Sequence, residues 1–123
     1  MFTLLFAAAV ACSQPVRVID ADTIEVCNES GLERIRIAGL DAPESYRPAC
    51  AKEKHAGVLA KYAAMKFFVR PNVTLDIERN GKDRYGRSVA DVSVNGIDFR
   101  QHMIAEGHGV EWRFNEKHNW CKE

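Results

Sequence analysis

The sequence carries no excess of charge of either sign: 17 Lys and Arg are matched by 17 Asp and Glu in 123 residues. That balance excludes the global basic field that announces a polyanionic partner, so any such partner has to be met by local placement of charge. Long apolar runs are missing too. The most apolar stretch, Phe2 to Ala11, is broken only by Thr3 and falls short of the roughly 20 residues a membrane-spanning helix needs. Internal repeats, low-complexity segments and linkers are absent from 14–123, which excludes a solenoid or a two-domain chain and leaves one domain. The histidines His55, His102, His108 and His118 fall into no metal-ligand spacing.

What is present begins with the leader. Met1 to Ser13 contains no charged side chain, and Ala9 and Ala11 supply the small residues of a signal-peptide cleavage pattern. On this reading 1–13 is a leader and 14–123 the mature domain, secreted or periplasmic. The basic segment that ordinarily precedes such a run is missing, and the alternative is a core strand or helix. Ala9-Val10-Ala11-Cys12 also loosely matches a lipoprotein box, in which Cys12 would carry a lipid and the protein would meet a membrane. Export permits disulfides. Among Cys27, Cys50 and Cys121, the pair Cys50 with Cys121 joins two segments at loop or terminal positions and leaves Cys27 over; separately buried thiols are the alternative.

The apolar pattern predicts a mainly β domain with α (α+β). Val16 and Val18, then Thr23, Ile24 and Val26, then Ile35, Ile37 and Leu40 read as three β-branched strands, with Asn28 to Gly31 as a turn. From Ala51 to Val69 the composition shifts to Ala, Lys, Glu, Met and Leu. Val58, Leu59, Tyr62, Met65 and Val69 recur there at helical spacing until Pro71. Val73, Leu75 and Ile77, and then Val89, Val92 and Val94, predict two more strands, the second followed by an Asn95-Gly96 turn. A short helix from Phe99 to Glu106 ends at Gly107, which suits a left-handed cap. Three strands, a helix, two strands and one or two shorter C-terminal helices is the order of a five-stranded OB barrel.

Three segments carry chemistry: Val18-Ile19-Asp20-Ala21-Asp22-Thr23, Arg36-Ile37-Ala38-Gly39-Leu40-Asp41-Ala42-Pro43-Glu44, and Asp83-Arg84-Tyr85-Gly86-Arg87. Each alone has a bland reading, as a turn, a cap and a hairpin tip. Their occurrence together in this order is far more specific. Asp22 and Asp41, if brought together, repel one another unless a cation lies between them. Oxygen donors without His or Cys favour a hard ion, calcium or magnesium, over zinc. Arg36 and Arg87 can each give a phosphate two parallel hydrogen bonds and stay charged throughout. Glu44, three residues past Asp41 and stiffened by Pro43, can face a metal-bound water. Asp20 could stand behind Asp22 or serve a turn.

With these residues the sequence resembles the staphylococcal nuclease family from Val16 to Trp112. The resemblance implies an OB fold, a monomer, and calcium-dependent cleavage of phosphodiester bonds in RNA and in single-stranded or frayed DNA. It assigns calcium to Asp22, Asp41 and the main-chain carbonyl of Ala42, general-base chemistry to Glu44, and phosphate and transition-state contacts to Arg36 and Arg87. Arg84 and Tyr85 would touch a neighbouring phosphate; Trp112 and Phe114 offer a platform for a base or, equally, rings for core packing. Ala42 stands where the best-known member carries Thr, so a hydroxyl is lost but the carbonyl is kept. The alternatives are an OB module that binds nucleic acid without catalysis and, more remotely, a calcium-dependent structural domain.

Overall fold

The computed structural model describes residues 15–113 and 116–122. The leader read over 1–13, with Cys12, and the aromatic Phe114 lie outside them. Strands β1 (Val16–Asp20), β2 (Thr23–Asn28) and β3 (Gly31–Ile37) form an antiparallel meander in which Val18 pairs with Ile24 and Ile24 with Ile35. Alternate side chains on a strand share a face. Here that face is Val16, Val18, Ile24, Val26, Ile35 and Ile37, all buried. The β2–β3 turn is held by Asn28 Oδ1, which accepts from Ser30 N at 2.9 Å.

The chain continues as β4 (Leu40–Asp41), α1 (Ala51–Phe68), β5 (Leu75–Lys82), β6 (Ser88–Val94), β7 (Ile97–Asp98), α2 (Phe99–Ala105) and β8 (Val110–Glu111). The main sheet runs β1-β2-β3-β6-β5, with β6 parallel to β3 and antiparallel to β5. This is the mixed α+β, OB-like arrangement predicted from the sequence, in the partly open form such barrels take. Among the described residues β1 and β5 share no ladder, and β4 with β8 makes a separate small sheet. Asn95 (φ 53°) and Gly96 (φ 83°) form the tight turn after β6. Gly107 (φ 80°) follows α2, and its N–H reaches Ile104 O.

Helix α1 forms where the spacing predicts it but buries a different face. Gly57, Ala60, Ala64, Phe67 and Phe68 are turned inward. Val58, Leu59, Tyr62, Met65 and Val69 stay 37–71% exposed. The reason is the closeness of the packing. A Cβ on Gly57 would stand 2.5 Å from the Glu44 carbonyl carbon, a distance only glycine allows. Small residues bring the helix axis onto the barrel, and Phe67 and Phe68 then close its end against Phe99 at ring separations of 5.2 and 4.9 Å. A similar correction applies to β6. Its inward face is Ser88, Ala90, Val92 and Val94, so Val89 points away from the main core.

Cys50 and Cys121 are bonded, the pairing favoured from their positions, across 71 residues. The expectation that Cys27 is left over does not hold, because Cys27 is disulfide-bonded as well.

Candidate active site

The turn between β1 and β2 presents Asp22, and the β2–β3 register sets Thr23 opposite Arg36. Asp22 and Arg36, 14 apart in sequence, thereby become neighbours. Arg36 Nη1 donates to the carbonyls of Ile37 (2.8 Å) and Asp22 (3.4 Å), and its Nη2 stands 3.8 Å from Asp22 Oδ2. The bend after β3 needs Gly39 (φ 72°), where a Cβ would also strike the Arg100 guanidinium. It delivers β4, so that Asp41 is 5% exposed and Ala42 N reaches Asp22 Oδ2 at 3.4 Å. Burial pushes the Asp22 carboxyl above its ordinary value against the pull of Arg36, Thr23 and Ala42 N, with Asp20 adding to the rise.

Asp22, Arg36, Asp41, Ala42, Glu44 and Arg87 all line one cavity of about 290 Å³, with Asp20, Thr23, Trp112 and Lys117 completing its walls. The structure thus brings together every residue to which catalysis or metal was assigned. Trp112 joins them, and it also borders a second cavity of about 380 Å³, which shares Arg36 and Arg87 and includes the outward Val89. Arg84 and Tyr85 lie on neither wall. Tyr85 is 70% exposed, with the Arg84 and Arg87 guanidiniums over its ring at 5.2 and 5.4 Å.

Four supports escaped the sequence reading. Asp83 accepts from Arg87 Nε at 2.6 Å and from Arg87 N at 2.9 Å, which aims the guanidinium and leaves its two Nη groups for other acceptors. Glu53 is buried and accepts from the backbone N–H of Glu44 (3.1 Å) and Ala49 (2.8 Å), so the loop carrying Glu44 is clamped to the first turn of α1. The signal for Glu53 was a capping-box spacing with Cys50 in the cap position, its Sγ accepting from Glu53 N. Lys117 Nζ holds Glu44 Oε2 at 2.8 Å, and the pair raises the lysine pKa above its ordinary value. His118 contributes its backbone N–H, 2.9 Å from Asp41 Oδ2. Nothing local in the sequence ties these two C-terminal residues to β4.

Among the described residues no three His, Cys, Asp or Glu side chains are grouped as metal ligands. A cation here would rest on two carboxylates, Asp22 and Asp41, with a main-chain carbonyl, and would take its remaining ligands from water or substrate. The donor set fits a hard ion of that kind, since a carboxylate buried with incomplete charge compensation gains most from an added cation.

The geometry can be set beside known proteins. The family model described as staphylococcal nuclease homologue matches residues 34–122. The thermonuclease of Staphylococcus intermedius is 34% identical over 91 residues, which is 74% of this chain and 54% of that protein. The thermonuclease of Staphylococcus hyicus is 32% identical over 75% of this chain and 54% of its own length. An uncharacterized endonuclease of Escherichia coli O157:H7 is 32% identical over 75% and 55% respectively. The chain spans about half the length of the curated relatives it matches. With the family model covering residues 34–122 and residues from all three sequence motifs meeting in one cavity, the chain belongs to the staphylococcal nuclease family.

Proposed function

We propose that this chain is a nuclease that hydrolyses phosphodiester bonds in DNA and RNA with calcium. The observation that carries the reading is the convergence of Asp22, Arg36, Asp41, Glu44 and Arg87 on one cavity from three separate segments of the sequence. Hydrolysis needs a water deprotonated, charge on the phosphate oxygens neutralised and the departing oxygen assisted. Glu44 takes the proton from the attacking water. Its partner Lys117 is 66% exposed at the side chain, so it can release the carboxylate at small cost when substrate enters. Arg36 and Arg87 donate to the phosphate oxygens, where fixed donors favour the transition state because charge develops there. Asp83 holds Arg87 in that direction. Calcium held by Asp22, Asp41 and the Ala42 carbonyl would supply positive charge at the phosphate and polarise water for attack.

Phosphate clamps and stacking recognise what every nucleotide has, so the reading carries broad sequence tolerance, with Trp112 as a surface for a base and Arg84 and Tyr85 as contacts to a neighbouring phosphate. The Cys50–Cys121 bond supports export to an oxidising compartment. The N-terminal mass of the native protein checks that, since it separates intact, cleaved and lipidated forms. The protein is proposed to act as a monomer, which light scattering can check.

The test of function compares wild type with Glu44→Gln on denatured DNA and on RNA in calcium. Degradation by the wild type, and binding without degradation by a variant of unchanged thermal midpoint, is the predicted result. Binding without degradation by both would mean the domain is a nucleic-acid-binding module. Equal degradation by both would remove Glu44 from the chemistry.

A further inference from the structure

The exposed apolar side of α1 does not stand alone. Val58, Tyr62 and Met65 line a cavity of about 380 Å³ together with Lys61 and Ser45. Lys54 precedes Val58 by four residues, so Lys54, Val58, Lys61, Tyr62 and Met65 make one stripe in which cations lie among apolar side chains. Among the described residues the exposed surface of this helix carries lysines and no carboxylate. Lys52, Lys54, Lys61 and Lys66 are its charged residues at the surface, while its one carboxylate, Glu53, is 4% exposed and turned to the Glu44 loop. In a chain of zero net charge this is a segregated patch. It is tied to the catalytic cavity by one side-chain contact between the two linings. Ser45 donates from N (3.3 Å) and Oγ (2.6 Å) to Asp20 Oδ1, and Asp20 is a wall of that cavity. Gly57 lets α1 lie directly against the Glu44–Ser45 backbone.

We propose that the cavity bounded by Ser45, Val58, Lys61, Tyr62 and Met65 is a nucleotide subsite, in which a base of a single-stranded polynucleotide stacks on Tyr62 and a phosphate meets Lys61. Stacking on an exposed ring beside lysines binds any base, because every base has a flat face and every linkage a charge. A bilayer would require a continuous apolar face. Here lysines interrupt the stripe and the surface is concave. The subsite rests on the nuclease reading for its substrate and gives Val58, Tyr62 and Met65, which the close packing of α1 leaves outside, a place on the substrate track.

The experiment measures binding of a fluorescein-labelled single-stranded dodecamer in calcium, by anisotropy, in a Glu44→Gln background that does not cut it. Tyr62→Ala should weaken binding about tenfold or more, Tyr62→Phe should restore it, and Lys61→Ala should weaken it most at low salt and flatten its salt dependence. In the cleaving protein, Tyr62→Ala should leave hydrolysis of a nitrophenyl phosphodiester of a single nucleotide unchanged while lowering kcat/KM on the dodecamer. Tyr62 and Lys61 are not core residues, and an unchanged thermal midpoint will confirm folding. If wild type cleaves both substrates and Tyr62→Ala binds and cleaves the dodecamer equally well, the subsite is wrong and the nuclease reading survives. If wild type cleaves neither substrate but dodecamer binding depends on Tyr62, the subsite stands and the nuclease reading falls. Absence of dodecamer binding, or Tyr62-dependent binding to phosphatidylserine vesicles with dodecamer binding unchanged, overturns the subsite.

Discussion

Arg87 is useful to a phosphate only while it points at one, and its direction is set by Asp83 at 2.6 Å. Asp83→Asn keeps the side chain's shape and removes the charge-assisted bond. It should lower kcat by up to about 10²-fold, the size of loss that misplacement by an ångström can cause, with little change in thermal midpoint. Arg36→Lys should be more damaging than its conservative look suggests, about 10²- to 10³-fold in kcat, because an ammonium cannot offer two parallel donors. Lys117→Ala should cost far less than Glu44→Gln, since an exposed ion pair positions the carboxylate without taking part in proton transfer. Steady-state rates on denatured DNA order all four variants. The side chains that meet in the candidate site were legible because they sit in short motifs. Lys117 and His118 were not: their contacts join segments 73 and 77 residues apart, and sequence spacing carries no record of which late residue folds back over which strand.

Elements were legible where side-chain periodicity decides them and misjudged where backbone closeness does. The Ala51–Phe68 helix is the clearest case, because its larger apolar residues promise burial while Gly57, Ala60 and Ala64 receive it. Gly57→Ala tests this directly. Its Cβ meets the Glu44 and Ser45 backbone, so it should destabilise the fold by about 1–3 kcal/mol and reduce kcat at the same time, read by urea unfolding and by rate. At the sheet, Glu33 ties β3 to β5 and β6: Arg79 holds it at 2.6 and 2.8 Å and Ser88 at 2.7 Å. The Arg79 bond keeps the Glu33 carboxyl near a pKa of about 2, below its ordinary 4.5. A carboxyl lowered on folding adds stability that is fully present above about pH 4.5 and disappears as pH falls toward 2. Urea midpoints of wild type and Glu33→Gln should therefore differ at pH 7 and converge only as pH falls to about 2, the gap shrinking in high salt because Arg79 is half exposed.

At the scale of the whole molecule, a barrel supplies the residues and a C-terminal strap braces them. The strap runs from Trp112, whose N–H reaches Gly39 O at 2.8 Å, past Lys117 and His118 to Cys121. There the disulfide fastens it to Cys50, the cap of α1. Closing a loop of 71 residues restricts the unfolded chain by about 4 kcal/mol on the entropic model. Cys50→Ala with Cys121→Ala should lower the thermal midpoint and, because Glu44 and Asp41 lose their braces, lower kcat more than KM. The five-strand order was readable from turns and alternation. The strap was not, since nothing in residues 110–122 has the periodicity of a core element. The measurement that bears most directly on the account is release of acid-soluble nucleotides from denatured DNA by the purified protein, in calcium and in excess chelator. Two carboxylates and two guanidiniums sharing one phosphate through a bound cation predict release in calcium alone. Equal release in chelator, or no release in either, would contradict it.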